Sequence, residues 1–453
     1  MLELFRSTHR SFVWLTEAAL IFAMLFVAAD VDMVGASPRR LLRVASEAMC
    51  VVLLTQMAIY YAGLYSDDLV REPRKALASF AKATAGGFGA ALLVRYALGL
   101  SELDAGDLLV ALALSTLCLF VWRLAYQHIF SSERFARRAL VLGQGDLAGD
   151  ITELLRTRCL GVKLIGSLTR TGSIPAGEDV LGTYDDLIDV VASRRIDLLI
   201  LADTEPRGVL PTEKVLALKL NGVEVREGTA FYEQATGKIH VRSIKPSELF
   251  LRDGFVRKPL ARFAKRTFDA VVAAVALIVA APIMALVAIA IRLESKGPIL
   301  YRQIRVGERR KEFWMLKFRS MREDAEKDGA RWASVADDRV TRVGKVLRRT
   351  RLDELPQLWN VLRGDMSLVG PRPERPMFVD ELERQIPYFS QRLYVRPGVT
   401  GHAQVRCSYA ASVDDSIEKL QYDLYYIKRF SFWFDVSILL DTVKVVLMRI
   451  GSR

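Results

Sequence analysis

The sequence predicts a multi-domain membrane α/β protein, and three observations predict it. Four apolar runs fill most of the first 130 residues. Strand-like and helix-like segments then alternate over Arg138–Glu248. A fifth apolar run, Val271–Ile291, carries no charge and precedes a basic C-terminal part.

Composition agrees. A chain of 453 residues is too long for one ordinary domain. Its 51% hydrophobic content stands beside 26% charged residues, which suits membrane helices joined to large soluble parts. The net charge of +12 points to nucleic acid, anionic lipid or phosphorylated substrates. No zinc-finger spacing or RNA-binding aromatic signature accompanies it, so nucleic acid is not an expected partner. The four cysteines, Cys50, Cys118, Cys159 and Cys407, are scattered, and the four histidines lack ligand spacing. A disulfide framework and zinc chemistry are therefore not expected.

The first block, residues 1–135, is read as four transmembrane helices. The runs are Ser11–Ala29, Val44–Tyr65, Ala78–Leu100 and Leu108–Phe130, interrupted by Glu17, Glu47, Lys82, Arg95 and Arg123. Each approaches the ~20 residues that cross a bilayer. Loop charge orients them. Arg6 and Arg10, then Arg71, Arg74 and Lys75, then Arg134, Arg137 and Arg138 mark the cytoplasmic side, while Ser101–Asp107 has no positive charge. Arg39, Arg40 and Arg43 run against this assignment.

Residues 136–250 read as a parallel α/β domain. Strands are expected at Arg138–Leu142, Val162–Leu168, Ile196–Ala202 and Val223–Glu227, with helices such as Leu181–Arg194 and Pro211–Asn221. The turn Gly143-Gln144-Gly145-Asp146-Leu147-Ala148 is a GxGxxA variant of the dinucleotide fingerprint, a weak signal by itself, and the domain is expected to be Rossmann-like. The second strand ends in Thr169-Arg170-Thr171, without the acid that would hold a ribose. No NAD is expected, and a structural or regulatory role is preferred.

Residues 251–453 return to the membrane at about 268–294. Arg262, Lys265 and Arg266 precede this run, Arg292 follows it, and Pro282 interrupts its middle. A simple span is the default on length. A re-entrant helix, bent at proline and returning to the side it left, accounts for the basic residues at both ends.

The chemistry gathers in Arg348–Pro373, RRTRLDELPQLWNVLRGDMSLVGPRP. Asp353 is read as the N-cap of a short helix over Gln357–Leu362 that Gly364 stops. Arg348, Arg349 and Arg351 precede it, and Arg363 and Arg372 follow. An ionised carboxylate thus sits in a setting that favours phosphate. The plainer alternative is a capped helix with surface ion pairs, which contribute little. Lys317 and Arg319 in Lys317-Phe318-Arg319-Ser320-Met321 are further cations near phosphate, or else a surface segment. Glu323–Asp338 reads as a polar loop or exposed helix, Arg396–Gly401 as a rigid turn, and Ser416–Arg429 and Ser431–Arg449 as helices.

LDELPQLWNVLRGDMSLVGPRP resembles the signature of the bacterial polyprenyl-phosphate sugar-1-phosphate transferases, the monotopic phosphoglycosyl transferases. The resemblance runs over Lys265–Arg453 and includes KRTFD, GPILYRQIRVG, KFRSM, DDRVTRVGKVLRRTRLDELPQ and RPGVTG in that order. It implies a re-entrant helix broken at Pro282, joined to a mostly helical α+β catalytic domain. It implies transfer of a sugar-1-phosphate from a UDP-sugar to undecaprenyl phosphate, with UMP released and surface-glycan assembly begun. Asp353 is then the nucleophile of a phosphosugar-aspartyl intermediate. Glu354 helps hold Mg²⁺ with it or assists the acceptor, and Arg348, Arg372, Lys317 and Arg319 contact phosphate. A hexose is the expected sugar, a homodimer the plausible assembly, and the bacterial inner membrane the site, with soluble parts cytoplasmic. The chain departs from the family around His402–Ala410, where relatives usually have Trp at His402; sugar preference or membrane seating is what this bears on. The competing classes are a non-catalytic membrane scaffold or lipid-sugar flippase, and a dinucleotide-dependent sugar-modifying enzyme.

Overall fold

The computed structural model describes residues 2–28, 37–62, 64, 73–99, 103–130, 136–157, 161–170, 179–203, 210–244, 254–255, 259–322, 339–407 and 412–447. The chain divides into two compact units, Met1–Ala235 and Thr236–Arg453.

The first unit opens with four long helices, α1 Leu2–Ala28, α2 Pro38–Tyr61, α3 Pro73–Leu98 and α4 Ala105–Phe130. Segments of α2, α3 and α4 are long and apolar enough to cross a membrane, and Phe12–Ala28 is a shorter apolar stretch of α1. Ser37 caps α2 by accepting from Arg40 N, with Pro38 in the first turn. Two of the charges inside the apolar runs are paired: Arg123 Nε lies 2.5 Å from Glu17 Oε1, with Glu17 wholly buried. An ionisable group at bilayer depth persists when it meets its counter-charge inside a bundle. Gln56 donates to the Trp14 carbonyl, and Thr84 shares a hydrogen bond with Thr116.

A five-stranded parallel sheet follows in the order β3-β2-β1-β4-β5. Its strands are β1 Arg137–Leu142, β2 Val162–Thr169, β3 Val180–Thr183, β4 Leu198–Leu201 and β5 Glu224–Glu227. Helices α5 Asp146–Thr157, α6 Leu187–Arg194, α7 Thr212–Leu220 and α8 Gly228–Thr236 accompany them. The central strand β1 is buried from Ala139 to Leu142, giving the continuous apolar run of a strand covered on both faces. One expectation is corrected. The segment read as a helix from Leu181 begins with strand β3 and a 3₁₀ turn at Tyr184–Asp186, and α6 starts only at Leu187. Asp186 explains the delay: it accepts from the Thr183 backbone and hydroxyl, closing a turn ahead of the helix.

Among the described residues, the first element lying wholly in the second unit is α9, Pro259–Glu294. Pro282 lies within it, and the helix continues on both sides, because proline removes one backbone bond without ending the ladder. Val271, Val275, Ile278, Val279, Leu286 and Ile289 are exposed along it. Its ends are both tied to this unit. Arg266 donates to the Val361 and Leu362 carbonyls, and Glu294 accepts from Val343 N. Elements β6 Leu300–Val306 and β7 Glu312–Phe318 form an antiparallel ribbon. Then come α10 Arg342–Thr350, α11 Gln357–Arg363, β8 Ser367–Val369, α12 Pro376–Gln385, β9 Gly398–Thr400, α13 His402–Arg406, α14 Val413–Lys428 and α15 Phe432–Leu447. One core joins Ala273 of α9 to Val361, Met366, Leu368, Phe389, Leu424 and Tyr426. A second joins Val287 and Ile291 to Phe318 and Leu347, and Leu355 packs against both. The polar stretch Glu323–Asp338 and residues Ser408–Ala410 of the divergent segment lie outside the described residues.

Candidate active site

The site is assembled where α10 gives way to α11. Arg351 ends α10 in the left-handed region, φ 59°. Only a few per cent of residues other than glycine adopt that region, and such positions cluster at functional sites. The chain reverses there into the 3₁₀ turn Leu352–Glu354, and α11 starts after Pro356. Asp353 is therefore not the N-cap: it sits in the turn, and no side chain caps α11. The competing geometry is the turn itself, whose Leu355 N–H is taken by the Leu352 carbonyl. Gly364 does stop the helix, at φ 92°, with Arg266 covering the last carbonyls.

Asn360 fixes the site to the ribbon. Its Oδ1 accepts from Leu316 N and its Nδ2 donates to Trp314 O, at 3.0 and 2.8 Å. That brings Lys317 on β7 beside the acidic pair. Lys317 Nζ reaches Glu354 Oε1 at 3.3 Å, Arg372 Nη2 reaches the same oxygen at 3.2 Å, and Arg351 lies 3.9 Å from it. Burial alone would raise the Glu354 pKa, but Lys317, Arg372 and Arg351 hold it well below the usual carboxylate range. Glu354 is thus a fixed negative charge.

Asp353 has a different environment. It is 8% exposed, and its Oδ1 is buried without a hydrogen-bond partner. Burial raises its pKa and adjacent Glu354 raises it further, while Lys317, Arg348 and Arg351 pull back. A buried carboxylate oxygen left unpaired costs free energy, so its persistence calls for a use. The two neighbouring acids, which cannot face the same way, have taken opposite roles: one saturated by cations, the other held open.

Of the six site residues expected from sequence, Asp353, Glu354, Lys317 and Arg372 come together, and Arg348 acts on Asp353 through its charge. Arg319 does not join them. It is 7% exposed and donates to the Ser295 and Lys296 carbonyls and the Ser295 hydroxyl, clamping the exit of α9. Strand alternation would place Arg319 on the face of Lys317, but β7 stops at Phe318, so the two side chains are free to diverge. Arg351, read from the sequence only as part of the basic run before Asp353, joins the site, while Asn360, Arg305 and Arg392 carried no signal in the sequence.

Mg²⁺ keeps several waters and needs only one or two carboxylates plus substrate phosphates. Among the described residues no group of three or more His, Cys, Asp or Glu could hold a metal ion. The Asp353 carboxylate, which makes no ion pair of its own among the described residues, fits one carboxylate contact of that kind through the oxygen other than Oδ1. Glu354 fits less well, because three cations already face its Oε1.

A buried network backs the site. Lys265 Nζ lies 3.1 Å from Asp269 and 2.8 Å from Asp435. Asp269 accepts from Ser367, and the Tyr426 hydroxyl contacts both Asp435 and the Val369 carbonyl. The lysine and aspartate of KRTFD thus tie α9 to β8, the strand that leads into Arg372.

The GxGxxA turn of the first unit is explained by packing. A Cβ on Gly143 would fall 2.6 Å from Asp203 N and 2.7 Å from the Ala202 carbonyl carbon. Asp203 accepts two bonds from Arg170 and one from Tyr184. Arg170, where a ribose-binding acid was missing, is therefore bound to its own domain.

An acidic pair ringed by cations, beside a long apolar helix, defines a membrane-attached site built to handle anions. Comparison with known proteins agrees. Residues 260–449 match the bacterial sugar transferase family model. A UDP-N-acetylgalactosamine-undecaprenyl-phosphate N-acetylgalactosaminephosphotransferase of Aeromonas hydrophila is 45% identical over 49% of this chain and 52% of its own length. An undecaprenyl-phosphate glucose phosphotransferase of Komagataeibacter xylinus is 34% identical over 72% of this chain and 63% of its own. A UDP-glucose:undecaprenyl-phosphate glucose-1-phosphate transferase of Caulobacter vibrioides is 44% identical over 47% of this chain and 82% of its own. The chain belongs to the bacterial sugar transferase family. It spans between half and two thirds of the Aeromonas and Komagataeibacter proteins.

Proposed function

We propose that this protein transfers a sugar-1-phosphate from a UDP-sugar to undecaprenyl phosphate, the first step of a surface glycan such as an exopolysaccharide. The observation that carries the reading is the buried, unpartnered Oδ1 of Asp353 beside a neutralised Glu354. A nucleophile must keep a lone pair free, and phosphoryl transfer depends on placing that lone pair among stabilising charges.

Asp353 Oδ1 attacks the phosphorus that carries the sugar. The new bond is carboxylate oxygen to phosphorus. The bond broken is the one to the bridging oxygen, which leaves with its electron pair as UMP. An oxygen of the lipid phosphate then attacks the same phosphorus, and the Asp353 carboxylate departs unchanged. Lys317, Arg348, Arg351 and Arg372 offset the repulsion between two anionic substrates. Mg²⁺, held by Asp353 and the substrate phosphates, would supply further charge neutralisation. Glu354 holds Lys317 and Arg372 in place.

We read α9 as re-entrant. In a straight helix Arg266 and Glu294 would stand about 42 Å apart. Both are bonded to neighbouring elements of one unit, and Leu355 packs against clusters fed by both halves of the helix. A bend near Pro282 reconciles these contacts, keeps the catalytic unit on the cytoplasmic side of the inner membrane, and gives it access to both nucleotide sugar and lipid. We read the five-stranded sheet, with its order reversing beside β1, as a Rossmann-like supporting domain.

The test is intact mass of the detergent-purified protein after exposure to UDP-glucose, UDP-galactose and UDP-N-acetylgalactosamine with Mg²⁺ and no lipid. A hexose-phosphate adduct, absent from Asp353→Asn, is expected. An adduct only from the N-acetylated donor overturns the hexose assignment. No adduct, with lipid product still formed, overturns the covalent step.

A further inference from the structure

Arg372 is presented by Gly370-Pro371-Arg372-Pro373, a turn with a peculiar backbone. Pro371 and Pro373 have no N–H, so the turn has few donors with which to anchor itself. It is instead gripped by its carbonyls. Pro371 O accepts from Gly398 N at 2.9 Å, and Glu374 O from Val306 N at 2.9 Å. Between them, Arg372 O accepts from Arg392 Nη2 and Pro373 O from Arg305 Nη1, each at 3.0 Å. Four successive carbonyls are thus held from outside, two of them by arginine side chains. Arg392 is 6% exposed and lies 2.8 Å from Asp423, itself 2% exposed. A solvent-screened role does not suit such a pair. Burying an ion pair carries a desolvation cost that hydrophobic residues of the same shape would avoid.

We propose that Arg392, oriented by Asp423 on α14, is a positioning residue that sets the Arg372 guanidinium against Glu354 and the donor diphosphate. The proposal rests on the functional reading above. Arg392 is almost wholly buried and acts through the Arg372 backbone. It fixes the carbonyl of Arg372 itself, and so the origin from which that side chain reaches Glu354 Oε1. Arg305 secures the next carbonyl in the same way.

The test uses the full-length protein in detergent with radiolabelled UDP-glucose or UDP-N-acetylgalactosamine and undecaprenyl phosphate. Lipid product is followed over hours, which keeps slow variants readable. Arg392→Lys keeps the charge and loses the rigid planar guanidinium, whose Nη2 meets both the Arg372 carbonyl and Asp423. It is expected to lower kcat/KM by about 10- to 100-fold, the scale of a displacement near 1 Å. In an Arg372→Ala background the same substitution is expected to cost less than about twofold, because contacting residues couple and cease to do so when one is gone. Equal losses in both backgrounds would make Arg392 a stability residue and overturn the proposal. Should Arg392→Lys not fold, the neutral pair Arg392→Gln with Asp423→Asn carries the same comparison, and failure of both to fold also overturns it. A wild type that turns over no UDP-sugar overturns the functional reading, an outcome distinct from active wild type with additive losses.

Discussion

Lys317 Nζ approaches Glu354 rather than Asp353, at 3.3 Å from Oε1, and Arg372 meets the same oxygen at 3.2 Å. The direct ion pairs therefore go to Glu354 and not to Asp353, the proposed nucleophile. Asp353, which feels Lys317 without bonding to it, keeps an oxygen free.

Asp353→Asn and Glu354→Gln are accordingly expected to differ in sign on stability. Burial makes the ionised Asp353 unfavourable in the folded state, so Asp353→Asn removes turnover while leaving the melting temperature unchanged or higher. Glu354→Gln strands three cations and lowers both turnover and melting temperature. Thermal melts beside turnover assays check this. A melting temperature that falls further for Asp353→Asn contradicts it.

With Asp353 as the proposed nucleophile, activity is expected to require its ionised form, and its raised pKa is expected to place the acid limb of kcat/KM above the ordinary aspartate range. Activity falls as pH drops through that limb. Lys317 is the largest cationic influence holding the value down. Lys317→Met is expected to move the limb to higher pH as well as lowering the plateau. A pH–rate profile of the variant with an unmoved limb would contradict that role.

His402 is a packing residue. Its ring meets Tyr422, Tyr425 and Phe434 at centroid distances of 5.1, 5.7 and 5.0 Å, and Nε2 pairs with the Gly237 carbonyl. Burial, with Arg406 adding to it, pushes the imidazole down from 6.5 to about 4. The unfolded chain takes its proton below 6.5 while the folded chain resists, so this residue's contribution is complete above pH 6.5 and drains away as pH falls to about 4. His402→Phe is expected to cost about 1 kcal/mol at neutral pH through the lost hydrogen bond. It should also flatten the stability profile across that window, which denaturant melts at several pH values would read.

Lys265 faces two buried carboxylates, Asp269 and Asp435. Lys265→Met leaves both uncompensated and is expected to destabilise the second unit by about 3–5 kcal/mol. The loss should be largely recovered when Asp269 and Asp435 are also made Asn. Proteolysis of the purified variants reads the difference, and an undiminished loss in the triple variant would contradict the pairing.

The sequence by itself determined the elements whose physics is local or repeated. Apolar runs marked the long helices, alternation marked four strands of the sheet, Gly364 marked the end of α11, and the order of six short blocks marked the family. It also singled out Asp353, Glu354, Lys317 and Arg372. What it could not supply was the partnering. Whether Lys317 serves Glu354 or Asp353, and whether Arg319 faces phosphate or the carbonyls of Ser295 and Lys296, depends on contacts between segments distant in the chain. The N-cap reading of Asp353 failed for the same reason. Arg351's left-handed turn and the pull of Lys317, Arg372 and Asn360 outweigh the local preference of aspartate for a helix start. Tertiary structure alone decided which carboxylate is neutralised and which stays open, because burial and charge are properties of the packed neighbourhood and not of the residue.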